Sequence, residues 1–222
     1  MRRATDNCPY VVFTGSSTVT VEGARHLGGA EHAVIADRIV AATLLAAVTL
    51  TGGDVRLTGA RPGDLDTVIS VLAKAGCGIT SGGTEIRAKR DRAPRSMGRI
   101  CTMPHPGFPT DAQALVMAAA CRAEGVTMFS ERIFESRYGH VGELLRMGAD
   151  IQVEGRVAVV RGVAKLYGTR VCATDLRGGA ALAVAGLAAE GETVLSGLTH
   201  IDRGYERFED TLKTLGADVK RM

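Results

Sequence analysis

The sequence predicts an α/β fold in which one supersecondary unit occurs three times, around a bundle of buried, alanine-rich helices. Three observations carry this. An Asp at the mouth of an apolar run recurs at Ala36-Asp37-Arg38, Pro109-Thr110-Asp111 and Ala173-Thr174-Asp175. Each run closes on a Gly phrase: Thr51-Gly52-Gly53-Asp54-Val55, Ala123-Glu124-Gly125-Val126, Glu190-Gly191-Glu192-Thr193-Val194. Each copy then reaches a second phrase: Leu72-Ala73-Lys74-Ala75-Gly76-Cys77-Gly78-Ile79, Leu145-Arg146-Met147-Gly148-Ala149-Asp150-Ile151, Leu212-Lys213-Thr214-Leu215-Gly216-Ala217-Asp218-Val219. Such self-similarity marks one structural unit repeated so that neighbours bury a shared core.

In chain order, Ile39–Leu50 is the longest apolar run and reads as a buried helix, too short for the roughly 20 residues of a membrane span. Asp37 opens it, where a carboxylate meets the positive end of the helix dipole, and Gly ends it in the left-handed conformation. Val55-Arg56-Leu57 reads as a strand. Leu65, Val68, Ile69 and Leu72 keep helical spacing, and Gly76 stops that helix. Thr84-Glu85-Ile86-Arg87 is a further strand. The second copy repeats this from an apolar helix ending at Cys121 to a strand over Val157-Ala158-Val159-Val160. The third repeats it from an apolar run ending at Ala189, through a strand Thr193-Val194-Leu195. The units therefore span about 36–90, 109–162 and 173–222, with residues 1–35 an amino-terminal remnant and linker strand. The third unit reaches Met222 without its last strand. Thr18 to Val21 alternate polar and apolar and read as a strand. Two readings stay open: this strand completes the third unit, or it is the tail of another domain. The alanine-rich helices carry too little polar surface to lie outside, so the sheets must surround them.

Composition narrows the function classes. The chain has 222 residues, 45% hydrophobic and 23% charged, enough for a sizeable core without disulfide or metal staples. With no Trp, 5 Phe and 4 Tyr, helices approach one another through small side chains. A net charge of +3 suits an anionic small ligand without requiring nucleic acid. Cys8, Cys77, Cys101, Cys121 and Cys172 are odd in number and widely spaced, as reduced cytosolic thiols are. No metal or cofactor is expected, because the five histidines form no ligand pair and no GxGxxG follows a strand. The basic run from Arg87 to Arg95 lacks interleaved aromatics and reads as a solvated loop.

Four clusters are candidates for chemistry. In Pro104-His105-Pro106-Gly107-Phe108-Pro109-Thr110-Asp111, three prolines fix an extended approach to a helix opened by Asp111, by itself an N-cap on a rigid turn. Ile133-Phe134-Glu135-Ser136-Arg137-Tyr138 is by itself a polar loop before a helix. Asp175 and Arg177, ahead of Gly178-Gly179, are by themselves a cap with a surface ion pair. His200-Ile201-Asp202-Arg203-Gly204-Tyr205-Glu206-Arg207 is by itself a charged helix entrance.

Together, in this order and spacing, PHPGFPTDAQA, IFESRYGH, ATDLRGGAALAVAGLAAEGETV and HIDRGYERFEDTLKTLGAD resemble the UDP-N-acetylglucosamine enolpyruvyl transferase (1-carboxyvinyltransferase) family, from about Thr18 to Met222. The resemblance implies an inside-out α/β barrel of three βαβαββ units, one of the family's two domains. It implies transfer of an enolpyruvyl group from phosphoenolpyruvate to the 3′-hydroxyl of UDP-N-acetylglucosamine, a cytoplasmic step of peptidoglycan synthesis, in a cleft between the domains. By motif, Asp111 accepts the sugar hydroxyl's proton and Ile133 contacts UDP-N-acetylglucosamine. Phe134 and Arg137 support that wall. Asp175 and Arg177 position the reacting centre, and Arg203 holds phosphoenolpyruvate, where a guanidinium fork suits carboxylate or phosphate.

The departures are informative. No SGAKN-like phrase occurs, and nothing matches the family's mobile loop with its reactive Cys or Asp. Ser136 stands for the usual Asn, Tyr138-Gly139 for a bulkier pair, and Gly178-Gly179 for Ala-Ser, each helical Gly costing roughly 0.5–1 kcal/mol of order. The chain thus reads as a carboxy-terminal domain with a short remnant of the other. As a half-enzyme it is expected to be inactive alone, to complete its site with a partner chain or by self-association, and to use no nucleic acid or membrane. A non-catalytic module that binds a UDP-sugar or a protein is the alternative. The sister transferase acting on shikimate 3-phosphate fits IFESRYGH and HIDRGYERFE less well.

Overall fold

The computed structural model describes Val11–Phe13, Val19–Val21, Gly29 and residues 31–222. The chain separates into two compact units, Met1–Ile35 and Ala36–Met222. In the first, β1 (Val11–Phe13) and β2 (Val19–Val21) form an antiparallel pair in which Phe13 faces Val19. Val19–Val21 is therefore a strand, and its described partner is β1; Thr18 lies outside the described residues.

In the second unit the repeat is visible element by element. Its first copy is α1 (Arg38–Thr51), β3 (Gly53–Thr58), a 3₁₀ turn (Pro62–Asp64), α2 (Asp66–Lys74), β4 (Gly78–Gly82) and β5 (Glu85–Arg90). The second is β6 (Arg99–Cys101), α3 (Thr110–Ala120), β7 (Val126–Ser130), α4 (Val141–Arg146), β8 (Asp150–Glu154) and β9 (Val157–Arg161). The third is β10 (Leu166–Tyr167), β11 (Arg170–Cys172), α5 (Leu176–Gly186), β12 (Ala189–Glu190), β13 (Val194–Ser196), α6 (Thr199–Asp202) and α7 (Phe208–Thr214). The strands order as β3-β5-β4, β6-β7-β9-β8, β11-β13 and β10-β12.

Helices α1, α3 and α5 pack on one another at the centre, with the sheets outside them, the inside-out barrel arrangement. Their surfaces explain why. In α3 every residue from Ala112 to Ala120 is buried, and in α1 every residue from Ala41 to Leu50. Such helices have no polar face to offer water. The buried threonines cost little, because Thr43 and Thr49 donate to the carbonyls of Ile39 and Leu45, each at 2.8 Å. Among the described helices none is long and apolar enough to cross a membrane.

The structure corrects several sequence expectations. The third apolar run stops being helical at Gly186, not Ala189, because Ala189 and Glu190 leave to pair in parallel with Leu166 and Tyr167. Its last helix is broken in two, with Arg207 between the pieces at a φ of 44°. Gly52 caps α1 as expected, whereas Gly125 and Gly191 lie beyond their helices' ends and lead into β7 and β13. The basic run is not simply a loop. Strand β5 continues to Arg90, Arg87 is held by Asp54 at 2.5 Å, and Arg90 donates to Leu50 O at 3.0 Å, satisfying a carbonyl at the end of α1.

The glycine pair is also not a source of disorder. A Cβ on Gly179 would stand 2.7 Å from the Ala173 methyl and 2.8 Å from Ile201 Cγ1, so the absence of side chain is what lets α5 approach α6. Gly179→Ala is expected to destabilise by about 1–3 kcal/mol through overpacking rather than to stabilise the helix. Chemical denaturation of the two chains measures this, and a more stable Ala variant would remove the close-approach explanation.

Candidate functional site

The candidate site lies at the amino-terminal ends of α3 and α5. Pro109 occupies the cap position of α3 and makes no side-chain cap, so Asp111 falls in the first turn and its carboxylate is free for other partners. The N-cap reading of Asp111 is thereby overturned. Asp111 Oδ1 accepts from Arg137 at 2.7 Å and Oδ2 from Arg177 at 3.3 Å. The cap role belongs to Asp175, whose Oδ1 accepts from the backbone N–H groups of Arg177 at 2.9 Å and Gly178 at 2.8 Å. Asp175 and Arg177 are thus not a surface ion pair. Arg177 reaches across to the neighbouring unit, and its guanidinium sits 5.9 Å from the centre of the Tyr205 ring. Tyr205 is buried and fixed by a 2.8 Å hydrogen bond between its hydroxyl and that of Thr43 in α1. One carboxylate at the mouth of α3 therefore gathers arginines from the second and third units.

Asp111, Arg137, Asp175 and Arg177 line a cleft of about 390 Å³ with Thr174, Leu176, His200 and Arg203. Arg203 is the carboxy-terminal cap of α6 and Arg207 the amino-terminal cap of α7, so its cluster links two helices and is the charged helix entrance expected as well as an exit. With three arginines against two aspartates, the lining is net cationic. Such a wall attracts anions, and guanidinium forks hold carboxylate or phosphate groups. A second cleft, about 500 Å³, lies at the end of α1 beside Arg90, Arg92 and Arg122, and gathers no candidate residue.

Ile133 and Phe134 do not line the 390 Å³ cleft; they project beside it, 37% and 47% exposed. What fixes them is a residue the sequence reading passed over. Glu131 is 1% exposed. Its Oε1 accepts from Thr102 Oγ1 at 2.7 Å and from the backbone N–H groups of Ile133 at 2.8 Å and Phe134 at 3.1 Å. Its Oε2 accepts from Thr110 Oγ1 at 2.9 Å. Burial alone would raise its pKa, but these donors outweigh that and hold the carboxyl below its ordinary range. Arg137 links this loop to the cleft, lying 5.1 Å from the centre of the Phe134 ring while it holds Asp111. Tyr138 secures the far end by donating to Arg156 O at 3.1 Å, its phenol pushed up to about 12 by burial and the Glu131 charge.

Behind Arg137 and Asp175 lies His140, 2% exposed, with Nε2 buried and unpartnered among the described residues. Burial pushes its pKa down to about 4, against the pull of Asp175 and with the push of Arg137. It is a neutral imidazole at neutral pH. In the sequence His140 closes the IFESRYGH phrase and Glu131 stands two residues before it, the one signal that pointed to either.

Known proteins similar to this chain include a family, curated relatives and solved structures. Residues 11–212 match the family described as EPSP synthase (3-phosphoshikimate 1-carboxyvinyltransferase). The chain is 48% identical over 208 residues to a UDP-N-acetylglucosamine 1-carboxyvinyltransferase of Magnetococcus marinus, covering 94% of this chain and 50% of that one. It is 46% identical over 212 residues to UDP-N-acetylglucosamine 1-carboxyvinyltransferase 2 of Caldanaerobacter subterraneus, covering 96% and 51%. Among solved structures it resembles the enolpyruvyl transferase NikO from Streptomyces tendae, with a TM-score of 0.83 at 30% identity over 96% of this chain and 51% of that one. An EPSP synthase from Acinetobacter baumannii, at TM-score 0.65 and 18% identity over 84% and 44%, shares the fold. The chain spans about half the length of the curated relatives it matches.

Proposed function

Since the chain belongs to the EPSP synthase family of 1-carboxyvinyl (enolpyruvyl) transferases, we propose that its cationic cleft is one wall of an enolpyruvyl transfer site for UDP-N-acetylglucosamine and phosphoenolpyruvate. The observation that supports this most directly is the convergence of Arg137 and Arg177 on Asp111, in the cleft that also holds Arg203. Phosphoenolpyruvate is small and polyanionic, and Arg203 would take its carboxylate or phosphate. Asp111 would accept the proton of the sugar 3′-hydroxyl. Both of its oxygens are engaged by arginines, so an arriving anion that draws one arginine away would free an oxygen for that proton. Asp175, by fixing the first turn of α5, would position Arg177 at the reacting centre. Ile133 would meet the UDP-sugar, with Phe134 and Arg137 supporting it from the loop that Glu131 fixes. In this reading the reaction is the cytoplasmic step that commits a UDP-sugar to peptidoglycan.

One wall is not a whole site. Electrostatic stabilisation of a transition state needs preorganised groups on every side of the developing charge, with water excluded. The purified chain is therefore expected to bind UDP-N-acetylglucosamine in calorimetry and to release no phosphate from phosphoenolpyruvate. Arg203→Ala should weaken phosphoenolpyruvate binding about tenfold or more, as loss of a charge-assisted pair implies. Phosphate release by the chain alone, abolished by Asp111→Asn, would mean that the other wall is dispensable. Absence of both binding and turnover would remove the transferase reading. Binding that no partner chain converts to turnover would favour a non-catalytic UDP-sugar or protein-binding module, a reading consistent with the half-length match.

A further inference from the structure

The basic run from Arg87 to Arg95 takes no part in the transferase reading, and its end forms one wall of the second cleft. That cleft, about 500 Å³, is lined by Arg90, Arg92 and Arg122 together with Gly52 and Gly53. It lies past the carboxy-terminal ends of α1 and α3, whereas the 390 Å³ cleft lies at the amino-terminal ends of α3 and α5. Asp111 opens α3 and Arg122 follows its end, so roughly 16 Å of helix separates the two clefts at about 1.5 Å per residue. Backbone carbonyls, not carboxylates, hold the arginines of this second cleft. Arg90 donates to Val48 O at 3.4 Å, to Leu50 O at 3.0 Å and to Arg92 O, which also pins the loop after β5. A guanidinium has further N–H donors beyond these. Arg122 donates to Ala164 O at 3.1 Å. Arg92 is exposed, and its side chain has no partner among the described residues. The acid of the lining, Asp91, is taken by Lys89 at 3.4 Å. Burial, and after it the charge of Arg122, lowers the pKa of Arg90, as like charges held close do. Gly52 makes this approach possible: its φ is 86°, and a Cβ there would stand 3.2 Å from Arg90 O and 3.4 Å from Arg90 Nη2.

We propose that this cleft binds the dianionic phosphoryl group of a small, non-aromatic phosphate compound. Charge sets the class. Arg90, Arg92 and Arg122 each bring one positive charge, while Asp91 is already neutralised by Lys89. The carboxy-terminal ends of α1 and α3 offset about half a charge each. About two positive charges remain, close to the roughly −1.5 to −2 of one phosphomonoester near neutral pH. Closing the helix ends does not account for all three arginines. Arg90 alone satisfies the Val48 and Leu50 carbonyls, and Arg122 bonds a carbonyl outside the helices. Guanidinium forks match phosphate oxygens, and those of Arg90 and Arg122 are held in place before any ligand arrives. The cleft has room for an organic body beside the phosphate. Its lining has no aromatic side chain on which a nucleobase could stack, which argues against a nucleotide or single-stranded nucleic acid. Free inorganic phosphate and a phosphomonoester share this chemistry. The two clefts share no lining residue, so this inference stands apart from the transferase reading.

The probes are inorganic phosphate, glycerol 3-phosphate and UMP, each titrated at constant ionic strength into the full chain and followed by nitrogen-resolved amide NMR. The amides of Gly52, Gly53 and Ala93 are expected to shift saturably with the first two, and the tighter of them identifies the source of the phosphoryl group. The amides of Arg177 and Gly178 report the other cleft separately. Arg92→Gln with Arg122→Gln should weaken the response at Gly52 and Gly53 about tenfold or more, as loss of charge-assisted contacts implies, and leave that at Arg177 and Gly178 unchanged. Arg203→Ala should leave the response at Gly52 and Gly53 unchanged. Arg92 is exposed, so Arg92→Gln alone spares folding and should still weaken the response about threefold. Shifts at Gly52 and Gly53 that rise linearly without saturation overturn the proposal, as does saturable binding there that is indifferent to the arginine substitutions. UMP binding there more tightly than both other probes overturns the non-aromatic class.

Discussion

Glu131→Ala is expected to destabilise the chain by about 3–5 kcal/mol and to release the loop that carries Ile133, Phe134 and Arg137. The carboxylate is buried and takes four hydrogen bonds, two from threonine hydroxyls on separate segments and two from backbone N–H groups. Removing it leaves those donors facing a cavity, and each buried unsatisfied group costs about 1–3 kcal/mol unless water reaches it. Glu131→Gln keeps one acceptor oxygen and should recover part of the loss. The linkage sign follows from the depressed pKa. Stability from Glu131 is fully present above the unfolded value of about 4.3 and is lost as pH falls through the lower folded value. Urea denaturation of wild type and both variants at neutral pH measures the effect. An Ala variant as stable as wild type would show that the loop is held by something other than this carboxylate.

The second large effect is acid destabilisation through His140. Its folded pKa is about 4, below the unfolded value of about 6.5. A histidine buried neutral contributes stability that is intact above the unfolded value and declines as pH falls toward the folded one. Across that window of about 2.5 units the loss is on the order of 3 kcal/mol, at about 1.4 kcal/mol per unit. Protonation would place a cation beside Arg137, with Asp175 the nearby compensating charge. Since Nε2 has no described partner, His140→Leu should cost little near pH 7.5 while flattening the stability profile between pH 6.5 and 4. Denaturant midpoints of the two chains across this range decide it. Parallel profiles would mean that the imidazole is solvated or already charged in the folded state.

Much of this protein was legible in its sequence because the information was periodic. Asp37, Asp111 and Asp175, each before an alanine-rich run, announce the three central helices, and an all-round apolar surface can only be buried. The PTDAQA and ATDLRGG phrases mark the starts of α3 and α5 and HIDRGYE the end of α6, and the structure brings Asp111, Arg137, Asp175, Arg177 and Arg203 to a single cleft. Glu131 was not legible, since a lone Glu before a hydrophobic loop gives no hint that Thr102 and Thr110 converge on it. Gly178 and Gly179 misled for a similar reason: propensity scores a helical Gly by its backbone freedom, while the neighbours that forbid a Cβ come from Ala173, His140 and Ile201.

By itself, then, the sequence determined the number of units, the class of each element and the family, because local patterns and near-neighbour spacing are written along the chain. Only the tertiary structure decided that Asp111 receives two arginines instead of capping its helix, and that Asp175 caps while Arg177 reaches away. The arginines on Asp111 come from distant segments that arrive within about 3 Å of it, and hydrogen-bond partners at that range are chosen by packing, not by propensity.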